Sequence, residues 1–183
     1  LEFHSMNHPH MTHLSDEALK ADFEEGLALF EKRLGFKPRY FSYPFGEFNP
    51  RVKTVAQSFG FEAILNQTMG AVASFSDPLD LDRNALVGKN DLKSFLKYKA
   101  LDATWIEPNL LLKDGLIKSL HVKTKTQASK GGLYISGHGY QDVILENGEL
   151  KKEINKKLTQ ERTRVMVSVG NAISTKLLVI DKH

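Results

Sequence analysis

Cysteine is absent from all 183 residues. That removes thiol nucleophiles, disulfides and cysteine-type zinc sites from consideration and leaves the redox compartment open. No run of about 20 apolar residues occurs, so no segment reads as a membrane-spanning helix. No stretch of these residues reads as a secretory leader, transit segment or lipidation motif, which says little because the sequence starts abruptly. Leu1 has no initiator Met before it and sits almost directly against a histidine cluster, so the start reads as an internal point of a longer protein. No block of like charges suggests a nucleic-acid partner. The net charge is only +3, and the excess Lys and Arg are scattered through Lys118, Lys123, Lys125, Lys130 and Lys151 to Lys157. Those residues read as a solvated β surface. Internal repeats and low-complexity segments are also missing. What remains is an ordinary composition, 41% hydrophobic, enough for one large domain or a medium one with a small companion.

The first half alternates helical and strand-like stretches. Ser15-Asp16-Glu17 predicts a helix start, a hydroxyl cap followed by acids that suit the positive end of the helix dipole. Leu19, Phe23, Leu27, Phe30 and Leu34 then recur at steps of three or four. Gly35 ends that helix and Pro38 forbids its continuation. Arg39 to Tyr43 predicts a short strand cut off by Pro44. Asn49-Pro50 predicts a second helix start, with Val52, Val55, Ala56 and Phe59 on its buried face and Gly60 as its stop. Phe61 to Leu65 is the next expected strand, and strand, helix, strand suggests a parallel βα unit. Asp77 to Gly88 reads as a loop near a cleft, and Asn90 or Asp91 would cap a short helix through Tyr98.

From about Ala103 the character changes to short strand-like runs separated by turn signals. The expected strands are Leu116 to Thr126, Gly132 to Ser136, Val143 to Leu145, Val165 to Val169 and Leu177 to Ile180. Asp114-Gly115 is turn chemistry, and Lys130-Gly131-Gly132 and Asn147-Gly148 suit hairpins. The fold class is therefore α/β over residues 1–100, followed over 101–183 by a β-rich accessory domain, a small antiparallel β-sandwich.

Four of the seven histidines fall between His4 and His13. His4 and His8 lie four apart, a spacing that on a helix or tight turn puts both rings on one side. Two imidazole nitrogens can then reach one cation at about 2.0–2.1 Å, with a carboxylate as the usual third ligand. Pro9 fixes the chain beyond His8, and Thr12, Leu14 and Ser15 lead straight into the helix cap, which a cloned linker would have no reason to do.

The stretch His4-Ser5-Met6-Asn7-His8-Pro9-His10-Met11-Thr12-His13-Leu14-Ser15 resembles the second motif of the polysaccharide deacetylase family, the carbohydrate esterases with a NodB-homology domain. The family pattern there is His, a hydroxyl residue, two free positions, His and Pro, then Leu-Thr and a helix. Phe41-Ser42-Tyr43-Pro44-Phe45-Gly46-Glu47-Phe48-Asn49 is similar to the third motif, an aromatic strand ending in Pro-Tyr-Gly. The resemblance covers about residues 2 to 88 and implies a partial deacetylase-type β/α barrel. It assigns His4 and His8 to a divalent metal, usually zinc, and Ser5 to steadying the motif. It makes the Phe45 backbone N–H the donor to the oxyanion, and puts Tyr43, Pro44, Phe45 and Gly46 against substrate, with Phe48 more simply a core residue. Arg83 resembles a position that orients a catalytic carboxylate, although an ion pair with Asp80 or Asp82 explains it nearly as well. His10 and His13 match no ligand and are expected at the rim of the cleft. The implied activity is metal-dependent deacetylation of an N-acetylated polysaccharide or oligosaccharide by metal-activated water, in a periplasmic, secreted or cell-envelope setting.

Three departures qualify the match. The family's Asp-Asp motif, which supplies the general base and third ligand, would lie upstream of Leu1, so this stretch alone is expected to be inactive. The Arg common before Pro-Tyr-Gly is replaced at Ser42. The late general-acid His has only an imitation in His138, after Leu133-Tyr134-Ile135-Ser136-Gly137, where a turn histidine is the simpler reading. Two alternatives follow. One is a non-catalytic glycan-binding protein on a degenerate deacetylase fold. The other is a different zinc hydrolase taking its carboxylate from Asp77, Asp80 or Asp82.

Overall fold

The computed structural model describes residues 1–88 and 92–180. The helix cap expected at Asn90 or Asp91 lies outside them. The chain is mixed α/β with several sheets and gathers into two units. The first comprises Leu1–Gln67 and Ser76–Arg83, and the second Thr68–Phe75 and the described residues from Asn84 on.

In the first unit, α1 spans Asp16–Leu34, and its Ser15 cap accepts from the Ala18 N–H at 3.2 Å. Gly35 ends it in the left-handed conformation at φ 77°. The buried stripe is Leu19, Asp22, Phe23 and Gly26, with Leu27 and Phe30 partly covered. Leu34, expected on that stripe, is exposed. Strand β1 is Tyr40–Ser42, α2 is Pro50–Ser58 capped by Asn49, and β2 is Ala63–Leu65. β1 and β2 pair in parallel, as a βα unit requires. Phe3 adds a parallel bridge to Phe41 on one side, and Leu81 adds one to Leu65 on the other. Four chain segments thus run the same way, and the core between them and the helices is strongly aromatic. Phe3, Phe23, Phe41, Phe61 and Tyr43 are all buried there.

Gly26 makes one of these contacts possible. A Cβ at this position would stand 2.6 Å from Phe3 Cζ and 3.2 Å from Met6 Cβ. Phe3 cannot swing away, because its ring is held among Phe23, Phe30, Phe41 and Phe61. Alanine normally gains about 1 kcal/mol over glycine in mid-helix, whereas overpacking a filled core costs about 1–3 kcal/mol. Gly26→Ala is therefore expected to lower the melting temperature. A rise would show that the helix does not sit this close to Phe3.

In the second unit the chain runs through α3 (Leu92–Phe95), β3 (Lys99–Ala100), β4 (Ala103–Glu107), β5 (Leu111–Leu112), β6 (Leu116–Thr124) and β7 (Lys130–Ile135). It continues as β8 (Gly139–Ile144), β9 (Glu149–Lys157), β10 (Arg162–Val169) and β11 (Ala172–Ile180). One sheet has the order β3-β11-β10-β7-β8, with β5 also paired to β11, and the other is β4-β6-β9. Both contribute to one apolar cluster that includes Ile117, Leu120, Val122, Leu133, Ile135, Leu150, Val165, Val167 and Leu178. Trp105 on β4 donates its indole N–H to Ser174 Oγ on β11 at 2.9 Å, tying the two sheets together.

The glycines here differ from expectation. Lys130-Gly131-Gly132 is no turn but the start of β7. Gly131 lies where a Cβ would meet the Ser168 carbonyl oxygen at 2.6 Å, and Gly132 lies beneath the Tyr140 ring. They are strand glycines that admit close neighbours. Asn147-Gly148 does turn the chain, with φ 52° and 78°, across a bridge between Glu146 and Glu149. Beyond that bridge β8 and β9 part into different sheets.

Candidate active site

Parallel pairing explains why the two sequence motifs meet. Phe3 stands opposite Phe41, so His4 follows one strand-like segment as Ser42 ends its neighbour. The chain beyond each is then free to turn at the same edge of the sheet, where parallel α/β proteins build their sites. His4 Nδ1 lies 2.7 Å from the Ser42 carbonyl oxygen. A carbonyl only accepts, so this contact makes Nδ1 the donor and turns Nε2 away from Ser42.

His4 and His8 are joined by a tight turn rather than a helix. Ser5 and His8 both take positive φ, 72° and 50°, and Ser5 Oγ accepts from the His8 N–H at 2.9 Å. The rings approach to 4.9 Å between centroids at 68°. Asp22, on the buried face of α1, holds this turn. Its two carboxylate oxygens accept from the Met6 N–H at 3.1 Å and the Asn7 N–H at 3.0 Å, and Asn7 Nδ2 adds a third bond at 3.1 Å. Sequence reasoning passed over Asp22. The available signal was an acid between Leu19 and Phe23, on the face that must be buried.

The second motif forms a 3₁₀ turn, Pro44–Gly46. Phe45 is left-handed, φ 59° and ψ 0°. Gly46 also has positive φ, and a Cβ there would stand 2.6 Å from Gln67 Cβ. The Phe45 ring lies 4.4 Å from that of His8 at 76°, and stacks on that of His10 at 4.2 Å and 9°. Tyr43, expected against substrate, is placed in the aromatic core. It is fully buried, stacks on Phe48 and donates its hydroxyl to the Leu79 carbonyl at 3.1 Å. Burial, then the nearby Asp80 and Asp77, pushes its phenol well above the ordinary value. Pro44 and Gly46 are buried as well. Of the four residues expected against substrate, Phe45 alone is partly exposed.

His10 has a partner that the sequence did not announce. Its Nδ1 lies 2.8 Å from Glu47 Oε2, and the Glu47 side chain is 1% exposed. His13 stacks on His10 at 5.3 Å. Arg83 donates from Nε to the Asn66 carbonyl at 3.0 Å, while Asn66 Nδ2 donates to Asp80 at 2.6 Å. Asp77 accepts from Lys53 and from the Leu79 N–H. His138 belongs to the second unit, in the turn between β7 and β8, with Nε2 2.8 Å from the Lys157 carbonyl.

The donor chemistry at His4 and His8 suits a divalent metal such as zinc. Both rings are exposed and adjacent, and a ligating histidine usually gives its other N–H to a carbonyl or carboxylate, as His4 does to Ser42. No group of three His, Cys, Asp or Glu able to hold a metal occurs among the described residues. Asp77, Asp80 and Asp82 therefore do not join His4 and His8 in such a group.

Residues 1–64 match the family described as polysaccharide deacetylase. No match is found among curated proteins. Among solved structures, the Streptococcus pyogenes deacetylase PplD, in complex with acetate, is 20% identical over 45% of this chain and 36% of its own, with a TM-score of 0.43. IcaB from Ammonifex degensii is 22% identical over 44% of this chain and 32% of its own, with a TM-score of 0.37. The chain thus covers well under half the length of either structure. The likeness to the polysaccharide deacetylase family is thus carried by residues 1–64, the part of the chain that its family model matches.

Proposed function

We propose that this chain is part of an enzyme that hydrolyses acetyl groups from an N-acetylated polysaccharide, with His4 and His8 as two ligands of a divalent metal, zinc by preference. The observation that carries the reading is the meeting of His4 and His8 with the left-handed Phe45 turn, one motif delivered beside the other by parallel pairing. When bound, such a cation lowers the pKa of water to about 7 and polarises a carbonyl. The chain's own residues do the rest. His4, its Nδ1–H directed to Ser42, presents Nε2, and Asp22 fixes the turn that carries His8 alongside. Water adds to the acetyl carbon, the C–N bond breaks, and acetate leaves with the amine behind. The Phe45 N–H is the donor to the oxyanion in this reading, a role worth about 2.7–4 kcal/mol. Arg83 orients the cleft through the Asn66 carbonyl. His138 is given the role of a turn histidine.

The general base and third ligand belong to the family's Asp-Asp motif, which has no counterpart here, so residues 1–183 alone are expected to be inactive. The first unit is proposed as part of a deacetylase-type barrel. Residues 101–183 are proposed as a small β-sandwich with an accessory, carbohydrate-binding role, supported by the apolar cluster common to both sheets. No helix among the described residues is long and apolar enough to cross a membrane, and a cell-envelope, periplasmic or secreted setting goes with the substrate.

The test is release of acetate from N-acetylglucosamine oligomers by the full-length protein with zinc supplied. Release that stops on chelation and returns with zinc is the expected result. Full-length protein that takes up zinc and releases nothing overturns the reading. Oligomer binding without release would favour the non-catalytic alternative.

A further inference from the structure

Two features of the site serve neither the metal nor the chemistry directly. The first is a buried carboxylate, Glu47, bonded to a half-exposed imidazole, His10. The second is the parallel stack of that imidazole on the Phe45 ring, at 4.2 Å and 9°. Glu47 and Phe45 come from one turn, since the Glu47 N–H closes it on the Pro44 carbonyl at 3.1 Å. That turn therefore grips His10 twice, by a hydrogen bond and by a ring face. His10 in turn is two residues from His8, across Pro9, whose ring fixes the intervening φ.

Neither grip is cheap to maintain without a reason. A non-glycine residue in the left-handed region costs about 1–2 kcal/mol and must be held by its surroundings. A buried carboxylate is tolerated only when hydrogen-bonded, and its bond to His10 helps satisfy that need. We propose that His10 and Glu47 are positioning residues, which together fix the Phe45 turn against the His4–His8 loop and so set the span between the metal ligands and the oxyanion donor. This rests on the deacetylase reading and adds two residues to it. His10 acts through the Phe45 ring and Glu47 acts through His10. Because an oxyanion donor works mainly in the transition state, its displacement falls on kcat and spares KM.

The test uses full-length, zinc-loaded protein with the substitutions Glu47→Gln, Glu47→Ala and His10→Gln. Glutamine at 47 still offers an oxygen to His10 Nδ1–H, so its kcat is expected within about threefold of wild type. Alanine at 47 frees the imidazole, and glutamine at 10 keeps a bond to Glu47 but loses the stacked ring. Both are expected to lower kcat per zinc-loaded site by about 10–100-fold, the scale of a misplacement near 1 Å. KM and zinc affinity should stay within about threefold. A merely structural pair would reduce the folded fraction and leave kcat per loaded site unchanged, and that result overturns the proposal. So does zinc affinity falling in step with kcat.

A readout independent of activity separates this idea from the deacetylase reading. In the zinc-free protein, the Phe45 amide and ring resonances should shift in Glu47→Ala and His10→Gln and hold in Glu47→Gln. If they follow that pattern while wild type releases no acetate, the positioning stands and the reaction assignment fails. If they do not move in Glu47→Ala, the positioning fails whatever the activity.

Discussion

Replacing His8 by alanine in the full-length protein is expected to abolish metal-dependent acetate release while leaving the core folded. The expected fall is about a thousandfold or more, since a Lewis-acid cation supplies several kcal/mol of transition-state stabilisation. The core is spared because the His8 ring is exposed and packs beside the Phe45 turn rather than beneath it. One small cost is separable. His8 sits at φ 50°, and histidine tolerates the left-handed region better than alanine does. His8→Ala should therefore lose about 1 kcal/mol of stability on backbone grounds alone, whereas His8→Gly should not. Both should lose zinc. Paired melting curves and zinc titrations on these two variants decide the matter. If His8→Ala retains wild-type zinc affinity, His8 is not a ligand and the proposed function goes with it. If both variants melt alike, the left-handed turn is wrong while the ligand assignment survives.

The parts of this structure that were legible in the sequence are those where a local rule and the tertiary fold agree. Ser15 and Gly35 bound α1, and Asn49-Pro50 starts α2, because caps and proline act within a few residues of themselves. The parallel βα unit followed from element order. Strand β9 was missed for a physical reason. It is an edge strand, and its lysines at 151, 152, 156 and 157 belong to the charged dressing that keeps such edges from pairing with other chains. Its buried residues, Leu150 and Ile154, are spaced by four with Lys152 exposed between them, and its register with the partner strand shifts between Ile117 and Ser119, opposite Asn155 at φ 48°. A helical period was printed onto a bulged strand. At the site, the pair His4 and His8 was visible from spacing, but Glu47 was not. Nothing around Gly46-Glu47-Phe48 marks which of those residues turns inward, and the partner that His10 gives the buried acid comes from a distant part of the sequence.

Asp22 makes the same point with a larger effect attached. The residue is 6% exposed and lies on the face of α1 that the apolar period assigns to the core. A charge in that position is tolerable because three N–H donors meet it, two of them backbone amides of the turn between His4 and His8. Hydrogen bonds to a charged acceptor contribute about 1.5–3 kcal/mol each, and removing the acceptor also strands the donors. Asp22→Ala is accordingly expected to cost about 2–4 kcal/mol, at the upper end for a single substitution. Asp22→Asn should cost less, because its one carbonyl oxygen still accepts from Met6 or Asn7 while its amide faces the other donor. The effect on function should exceed the effect on stability. Releasing Met6 and Asn7 lets His4 and His8 move independently, and loss of such support lowers metal affinity about 10–100-fold. Zinc titration at a temperature where both variants remain folded isolates that term from simple unfolding. Affinity that declines from wild type through Asp22→Asn to Asp22→Ala supports the clamp. Unchanged affinity in Asp22→Ala would mean that the turn between the two histidines holds itself, and that the buried acid serves the helix alone.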